Sequence, residues 1–362
     1  MTKLRFAVAG LGKMGLSHFA IVNTHPNAEL VAVCDTANYI LRPIARYTGI
    51  ATYTDYEAML ETEILDAIII ATPSSLHANM VELALKHNLH IFCEKPFCLD
   101  VSEGQRLVNE AKQRNLVTQV GYHHRFIATF EEARTVVAAG LLGKVSHARV
   151  ECYGPVVLKK TSKTWRTRKS DGGGCLYDYA SHGIDLLNFL FGRPADVTGS
   201  FLGRIYSQDV DDEVYSTLVY DDGKTAYVSA NWSDDSHRKM STQVSIWGDN
   251  GKLVAGRQEL SLYLRSKLDS NQKYGTGWSK MFTTSLSTPV WFYLRGEEYS
   301  QQVDHFVTCI LNRSMQNRSD FQSACATDIV SANIRIDATS RRHRHEPISP
   351  HFANSAGPGL LR

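Results

Sequence analysis

Short apolar runs separated by amphipathic stretches fill the first third of the chain. Leu4–Ala9 has the continuous apolar character of a strand buried on both faces. A helix is expected from about Met14, a second strand over Leu30–Cys34, and a third over Asp66–Thr72, where DAIIIAT is rich in β-branched residues. Ser74–Asn88 is amphipathic at helical spacing, with Ser74 in position to cap it. His90–Cys93 predicts another strand, Asp100–Asn115 a polar amphipathic helix, and Val117–Gly121 a further strand. Strands separated by single helices imply a doubly wound parallel sheet with right-handed crossovers.

After Tyr122 the pattern changes. A helix near Phe130–Ala139 precedes strand-like Val145–Tyr153, then a glycine run and a long helix from Cys175 to Phe191. Strands then dominate. Val214–Tyr220 and Thr225–Trp232 flank Asp222-Gly223; Thr242–Trp247 and Leu253–Ala255 flank Asn250-Gly251. Both dipeptides suit tight hairpins because they tolerate positive φ. This predicts an open, largely antiparallel sheet with helices on one face, closed by late helices near Ser300–Leu311 and Ala324–Thr339. The expected division is a dinucleotide-binding unit over 1–122, a substrate-binding and oligomerisation unit over 123–345, and a loose tail over 346–362.

Composition narrows the class only by exclusion. The chain has 362 residues, enough for two cores, and 39 Lys+Arg against 37 Asp+Glu give no general attraction to nucleic acid or anionic membrane. Its longest apolar runs are too short to span a bilayer. The chain runs straight from Met1 into strand pattern, so no signal peptide is expected. Seven scattered cysteines without a CxxC pair read as reduced thiols of a cytoplasmic protein, with neither a disulfide framework nor a metal site.

Two motifs carry candidate chemistry at the carboxyl edge of the parallel sheet. The first is Gly10-Leu11-Gly12-Lys13-Met14-Gly15. It follows a buried strand, opens a helix, and is succeeded by Asp35 at the end of the next strand. Gly10 suits a tight turn, Gly12 a close approach to a pyrophosphate, and Gly15 helix–strand packing; the helix N-terminus offers free N–H groups to phosphates. Asp35 is placed to accept from ribose hydroxyls and to repel a 2′-phosphate. No Arg or Lys follows until Arg42, which favours NAD over NADP. The second motif is Glu94-Lys95-Pro96, where a lysine can offer a cation to a developing alkoxide.

A third constellation lies in Gly172–Asp185. Three glycines would let the backbone approach a ligand, and Asp178 and His182 share one helical face, with Asp185 continuing the stripe. The helix is otherwise apolar, and buried polar groups need partners. His182 suits general acid–base work and Asp178 could bind a hydroxyl or tune the other two; Asp185 is read mainly as fixing His182.

Taken jointly, VAGLGKMG, VAVCD, IIATPSSLH, CEKPF, VGYHHRF and GGGCLYDYASHGIDLLNFLFG resemble, in order and spacing, the glucose–fructose oxidoreductase/inositol dehydrogenase/rhizopine-catabolism (Gfo/Idh/MocA) family over nearly the whole chain. The resemblance implies a catalytic set of Lys95, Asp178 and His182. It implies a cofactor lining that includes Thr72, Pro73 and His77 beside Gly10, Gly12, Lys13, Met14, Gly15, Asp35, Glu94 and Lys95, with a cis peptide before Pro96. It further implies a sugar or cyclitol substrate, NAD as cofactor, and a homodimer or homotetramer. The chain has Ala180 where family members often carry glycine, a change expected to be tolerated.

Further substrate candidates are Tyr122, His123 and Arg125 where the units should meet, with His124 beside them, the pair Trp165-Arg166 in the basic stretch Lys159–Lys169, and His305, beside Asp304, in a late helix. A structural histidine is the more expected reading of His305. The basic run Arg341–His345 reads as a solvated helix end. The resulting expectation is NAD-dependent oxidation of a secondary hydroxyl of a sugar or cyclitol. Its rivals are an NAD-retaining non-redox enzyme acting on glycosides, a catalytically inactive sensor of the same fold, and a reductase of another carbonyl or unsaturated bond.

Overall fold

Strands with little polar alternation can be buried on both faces, and the N-terminal ones are. The computed structural model describes residues 3–158, 165–266, 273–287 and 297–342. In it β1 (Leu4–Ala9), β2 (Ala28–Cys34), β3 (Ala51–Tyr53), β4 (Ala67–Ile70), β5 (His90–Cys93) and β6 (Thr118–Val120) form a parallel sheet in the order β3-β2-β1-β4-β5-β6. The crossovers are α1 (Lys13–Thr24), α2 (Asn38–Thr48), α3 (Tyr56–Thr62), α4 (His77–Lys86) and α5 (Val101–Gln113). The strand order reverses between β1 and β4, which opens a crevice at their carboxyl ends.

Three elements here escape the sequence pattern: α2, β3 and α3. Each helix buries only two side chains, Leu41 and Ile44 in one and Met59 and Leu60 in the other, and Pro43 inside α2 reads as a helix break. The start of α4 also differs from expectation. Ser74 lies within a short 3₁₀ turn, Ser74–Leu76, and neither that turn nor α4 has a side-chain cap. By contrast Asp100 caps α5, accepting from the N–H groups of Ser102 and Glu103 at 2.8 and 3.0 Å.

The second sheet follows α6 (Ala128–Ala138). Its strands are β7 (Val145–Tyr153), β8 (Asp196–Gly203), β9 (Glu213–Val219), β10 (Thr225–Asn231), β11 (Ser241–Gly248), β12 (Gly251–Gly256), β13 (Glu259–Leu264) and β14 (Gly277–Phe282), with α7 (Ser181–Phe191) between β7 and β8. The order is β14-β13-β12-β11-β7-β10-β9-β8, antiparallel except for β7 against β10. Alternation sends Ala148, Val150 and Cys152 of β7 to the core beneath α6 and α7, and leaves Arg149 and Glu151 on the open face.

The β9–β10 hairpin turns through Gly223 at φ +84°, as expected. The β11–β12 hairpin does not use Asn250-Gly251. Gly248 pairs with Gly251, so Asp249-Asn250 form the turn, and neither has positive φ. Gly251 is needed for another reason: a Cβ there would lie 2.1 Å from the carbonyl oxygen of Tyr263 on β13.

The late helices also depart from expectation. Of the short α8 (Thr283–Leu286), α9 (Glu297–Leu311) and α10 (Phe321–Arg342), α9 packs on the first sheet rather than closing the second. Val303, Phe306, Val307 and Ile310 join the core of Phe6, Ile21 and Phe92, with Phe306 edge-on to Phe6 and Phe92. Helix α10 spans both cores, Phe321, Ala324 and Cys325 in one, Val330 and Ile334 in the other. The chain thus returns to its first unit, which ties the two sheets together. Residues 343–345 of the basic run, the expected tail 346–362, and 159–164 of the basic stretch lie outside the described residues. Among the described residues no helix is long and apolar enough to cross a membrane.

Candidate active site

The glycine loop lies at the crevice. Gly10 turns at φ +85°, and a Cβ there would sit 2.6 Å from the Ala71 carbonyl oxygen; one at Gly15 would sit 1.7 Å from that of Gly10. Among the described residues nothing lies within 4 Å of a Cβ built on Gly12. Gly12 and Lys13 are exposed and Met14 partly so. Helix α1 has no side-chain cap and no acidic residue in its first turn. An uncapped helix start beneath open space fits a dinucleotide pyrophosphate. Asp35 leaves β2 with its carboxylate already oriented: Oδ2 accepts from Leu11 N at 2.6 Å and Oδ1 from Ala37 N at 2.8 Å.

The Glu94–Pro96 loop leaves β5 beside it. Glu94 Oε1 lies 2.7 Å from Nε2 of the fully buried His18 on α1, so one ion-pair-like contact joins this loop to the helix of the glycine loop. A Cβ on Gly121 would lie 2.6 Å from Glu94 Oε2, so glycine there makes room for the carboxylate. The Lys95–Pro96 peptide is cis. His77 is buried rather than facing the crevice; it ties two loops, with Nδ1 2.8 Å from the Pro96 oxygen and Nε2 3.1 Å from the Thr72 oxygen. Burial holds its pKa below the usual 6.5 despite those carbonyls. Thr72 donates to Met80 Sδ, and Pro73 is exposed at the loop tip.

Across the cleft, the predicted helix at Cys175 begins as one π turn, Leu176–Ala180, before α7. Its N-terminus is held by Asp211: Cys175 N donates to the Asp211 carbonyl and Leu176 N to Oδ2 at 2.6 Å. The preceding glycines admit protein rather than ligand. A Cβ on Gly173 would lie 2.3 Å from the Arg166 oxygen, and Gly174, at φ +112°, packs on Asp211. The result brings Asp178 to Lys95 and Arg166. Lys95 Nζ donates to Asp178 Oδ1 at 3.1 Å and to its carbonyl at 2.9 Å, and Arg166 Nε donates to Oδ2 at 2.8 Å. Trp165 lies under the Arg166 guanidinium at 4.8 Å. Burial alone would raise the Asp178 carboxyl, but the two cations hold it below the usual carboxylate range. His182, one turn on, is 4% exposed; burial first, then Lys95 and its neighbours, push its pKa well below 6.5. Among the described residues its buried Nδ1 has no partner, which leaves Nε2 as the nitrogen that could meet a ligand.

Two further imidazoles pack on His182, with ring centroids 5.0 Å away for His123 and 4.7 Å for His124. The sequence reading placed His123 here and left His124 undecided. It missed what holds them, Arg257 between β12 and β13, Glu298 on α9, and Tyr299, which stacks on His123 at 4.8 Å. Nothing in the local pattern marks those three.

Other candidates have structural partners. Tyr122 is fully buried, its ring edge-on to His182, so it packs the cluster and does not reach a ligand. Arg125 makes a bidentate buried pair with Asp185, Nε to Oδ2 at 2.8 Å and Nη2 to Oδ1 at 2.6 Å, and its Nη1 donates to the Arg318 carbonyl. The expected role of Asp185 therefore changes: it fixes Arg125, not His182. His305 Nε2 accepts from Arg318 N at 3.1 Å, and its ring packs against Phe126; among the described residues no contact joins it to Lys95, Asp178 or His182. Asp304 pairs with His25.

The fold and site define an oxidoreductase with an NAD-binding Rossmann domain. The profile of an oxidoreductase family with NAD-binding Rossmann fold matches residues 4–122, and that of the Gfo/Idh/MocA C-terminal domain matches residues 130–254. The chain belongs to the Gfo/Idh/MocA family. It is 27% identical to scyllo-inositol 2-dehydrogenase (NAD(+)) of Bacillus subtilis, with 96% of each chain covered. It is 26% identical to 2,7-anhydro-N-acetylneuraminate hydratase of Escherichia coli, with 72% of this chain and 70% of that protein covered. The WlbA dehydrogenase of Bordetella pertussis, solved with NADH and UDP-GlcNAcA, shares the fold at 20% identity, with a TM-score of 0.81 and 94% of this chain and 96% of that one covered.

Proposed function

We propose that the protein oxidises a secondary hydroxyl of a sugar or cyclitol with NAD. The observation that carries this reading is the meeting of Lys95, Asp178 and His182 beside the loops that would hold the cofactor. Gly10–Gly15 would hold the pyrophosphate, Asp35 the ribose hydroxyls, and Thr72, Pro73 and Glu94 the nicotinamide side, with His77 bracing the loops. NAD, when bound, supplies the hydride acceptor. Lys95, whose ammonium already faces Asp178 and two backbone carbonyls, would offer charge to the oxygen that loses its proton. His182, neutral near pH 7, would take that proton at Nε2, and Asp178 with Arg166 would set the position and charge of Lys95. His123, Trp165 and Arg166 would face substrate.

Residue 122 is proposed as the end of the nucleotide-binding unit. A homodimer or homotetramer through the open face of the second sheet is supported by exposed aromatics there, Trp278 on Tyr263 and Phe201 on Tyr215. Light scattering giving a monomer at micromolar concentration would remove the assembly proposal. A cytoplasmic location is supported by seven buried, unpaired cysteines.

The decisive experiment is a screen of hexoses, pentoses, sugar acids and inositols with NAD, reading NADH absorbance. At least one should give sustained NADH formation. The hydratase relative favours a second reading, an NAD-retaining enzyme acting on glycosides or anhydro sugars without net redox change. Turnover of such a substrate with no NADH, and none with any alcohol, would replace the first reading by the second.

A further inference from the structure

Arg257 is delivered to the imidazole cluster by a pinned turn. Thr129 donates its hydroxyl to the Gly256 carbonyl and Thr283 donates to that of Arg257, both at 2.6 Å. The guanidinium Nη2 donates to Glu298 Oε1 at 2.6 Å, and Nη1 lies 3.0 Å from His124 Nε2 and 3.3 Å from His123 Nε2. A guanidinium has hydrogens to give and no lone pair with which to accept one. Both Nε2 atoms must therefore be acceptors. In a neutral imidazole the remaining hydrogen then sits on Nδ1, and the two hydrogens of one Nη1 serve two rings.

The rings are neutral for reasons that agree with this count. Burial is the main opponent of charge on each. Arg257 and Lys95 reinforce it at His123; at His124 the neighbouring His123 acts as well. The groups facing them are His182, Arg257, Lys95 and Tyr299, with Glu298 behind the guanidinium. The two Nδ1 atoms differ in surroundings. Among the described residues neither has a hydrogen-bond partner, but His124 is 1% exposed with its Nδ1 buried, whereas His123 is 8% exposed. Stacking on Tyr299 and edge contact with His182 fix the His123 plane.

We propose that Arg257 is a positioning residue: it locks His123 and His124 as Nδ1–H tautomers, so that His123 presents an N–H donor to a substrate hydroxyl beside His182. The ligand class, a polyhydroxylated substrate, rests on the dehydrogenase reading; the tautomers do not.

The test joins a spectroscopic and a kinetic arm. Long-range ¹H–¹⁵N spectra of full-length, ¹⁵N-histidine-labelled protein, assigned with His123→Gln and His124→Gln, should show Nδ1–H on both rings. Arg257→Met should convert at least His123 to the Nε2–H form or an exchanging mixture, and Arg257→Lys should retain part of the native pattern. With any sugar or cyclitol that is turned over, Arg257→Met should raise KM about tenfold, the scale of one lost hydrogen bond, with kcat and NADH affinity within about threefold. That effect should disappear in a His123→Gln background. Nε2–H rings in the wild type, or an unchanged His123 pattern in folded Arg257→Met, would overturn the tautomer lock. An unchanged KM would overturn the substrate role. If Arg257→Met does not fold, Glu298→Gln, which loosens the guanidinium, must show the same changes in weaker form or the proposal fails. If no sugar or cyclitol is turned over, the functional reading fails while the spectra still decide the lock.

Discussion

The two walls of the cleft are built from different materials. On the nucleotide side, Gly10, Gly12 and Gly15 act through main chain and empty space, within six consecutive residues. On the facing side, the imidazoles of His123, His124 and His182 meet Lys95, Arg166 and Arg257, drawn from five separate stretches of chain. A wall of backbone keeps its shape through one strand–turn–helix unit. A wall of side chains keeps its shape only while both sheets stay in register, and α10, which packs into the cores of both sheets, holds that register. The first arrangement suits a ligand part common to many enzymes, the second a part that varies.

The largest effect expected from this contrast falls on the side-chain wall. Lys95→Ala and His182→Ala should each lower kcat by roughly 10²–10⁴, the usual contribution of a positioned charge or base. His182→Ala should leave NADH affinity almost unchanged, since its ring belongs to the side-chain wall and not to the nucleotide wall. The pH profile adds a signed test. Burial and Lys95 depress the His182 pKa, so the ring stays neutral well into acid, and kcat/KM should fall only below about pH 6.5, the unperturbed histidine value. That limb should vanish in the residual activity of His182→Ala. Near-wild-type rates in both folded variants would remove the dehydrogenase reading.

The same contrast explains what could be read from the sequence. Val145–Tyr153 coincides with β7 because alternation decides the strand by itself. The glycine loop was legible because its context is adjacent in the sequence: a buried strand before it, a helix after it and Asp35 at the end of the next strand. The helix of Asp178 and His182 was legible because polar residues on an apolar helix need explanation. Arg257 and Glu298 carry no such sign: an arginine after a strand and a glutamate at a helix start are ordinary surface residues until the fold places them against imidazoles. Arg125 shows the converse: it stood out as a substrate candidate, yet it pairs with Asp185, which was read as structural but with His182 as its partner, and the two satisfy each other as buried charges usually must. Helix α9 was assigned to the wrong sheet because its apolar stripe says that it packs, not on what.

A smaller effect tests the backbone wall directly. Gly12→Ala adds one methyl to a place where no described residue lies within 4 Å, so the fold should tolerate it, with Tm shifted by no more than a few degrees. The methyl would occupy the approach to the pyrophosphate, and NADH dissociation constants from fluorescence titration should rise by about tenfold or more, a loss near 1.4 kcal/mol. The same methyl at Gly15 would meet the Gly10 carbonyl at 1.7 Å, where the loop itself could not close. Unchanged affinity in Gly12→Ala would mean that the open space above the loop is not the pyrophosphate site.

The smallest expected effect concerns Asp35, the one acidic side chain assigned to the nucleotide wall's outer end. Its carboxylate already accepts from Leu11 and Ala37, so part of its charge is spent on shaping the loop. The remaining lone pairs are what ribose hydroxyls would meet, and the negative charge is what a 2′-phosphate would oppose. Asp35→Ser keeps a small acceptor and removes the charge. The NAD:NADP ratio of kcat/KM should fall by about tenfold, with most of the change from lost NAD binding, because no Arg or Lys before Arg42 stands ready to welcome the phosphate. Adding Thr36→Arg to Asp35→Ser should lower the ratio further by improving NADP itself. A wild-type enzyme that uses NADP as well as NAD would refute the assigned role of Asp35, and a ratio unmoved in Asp35→Ser would confine that carboxylate to holding the glycine loop.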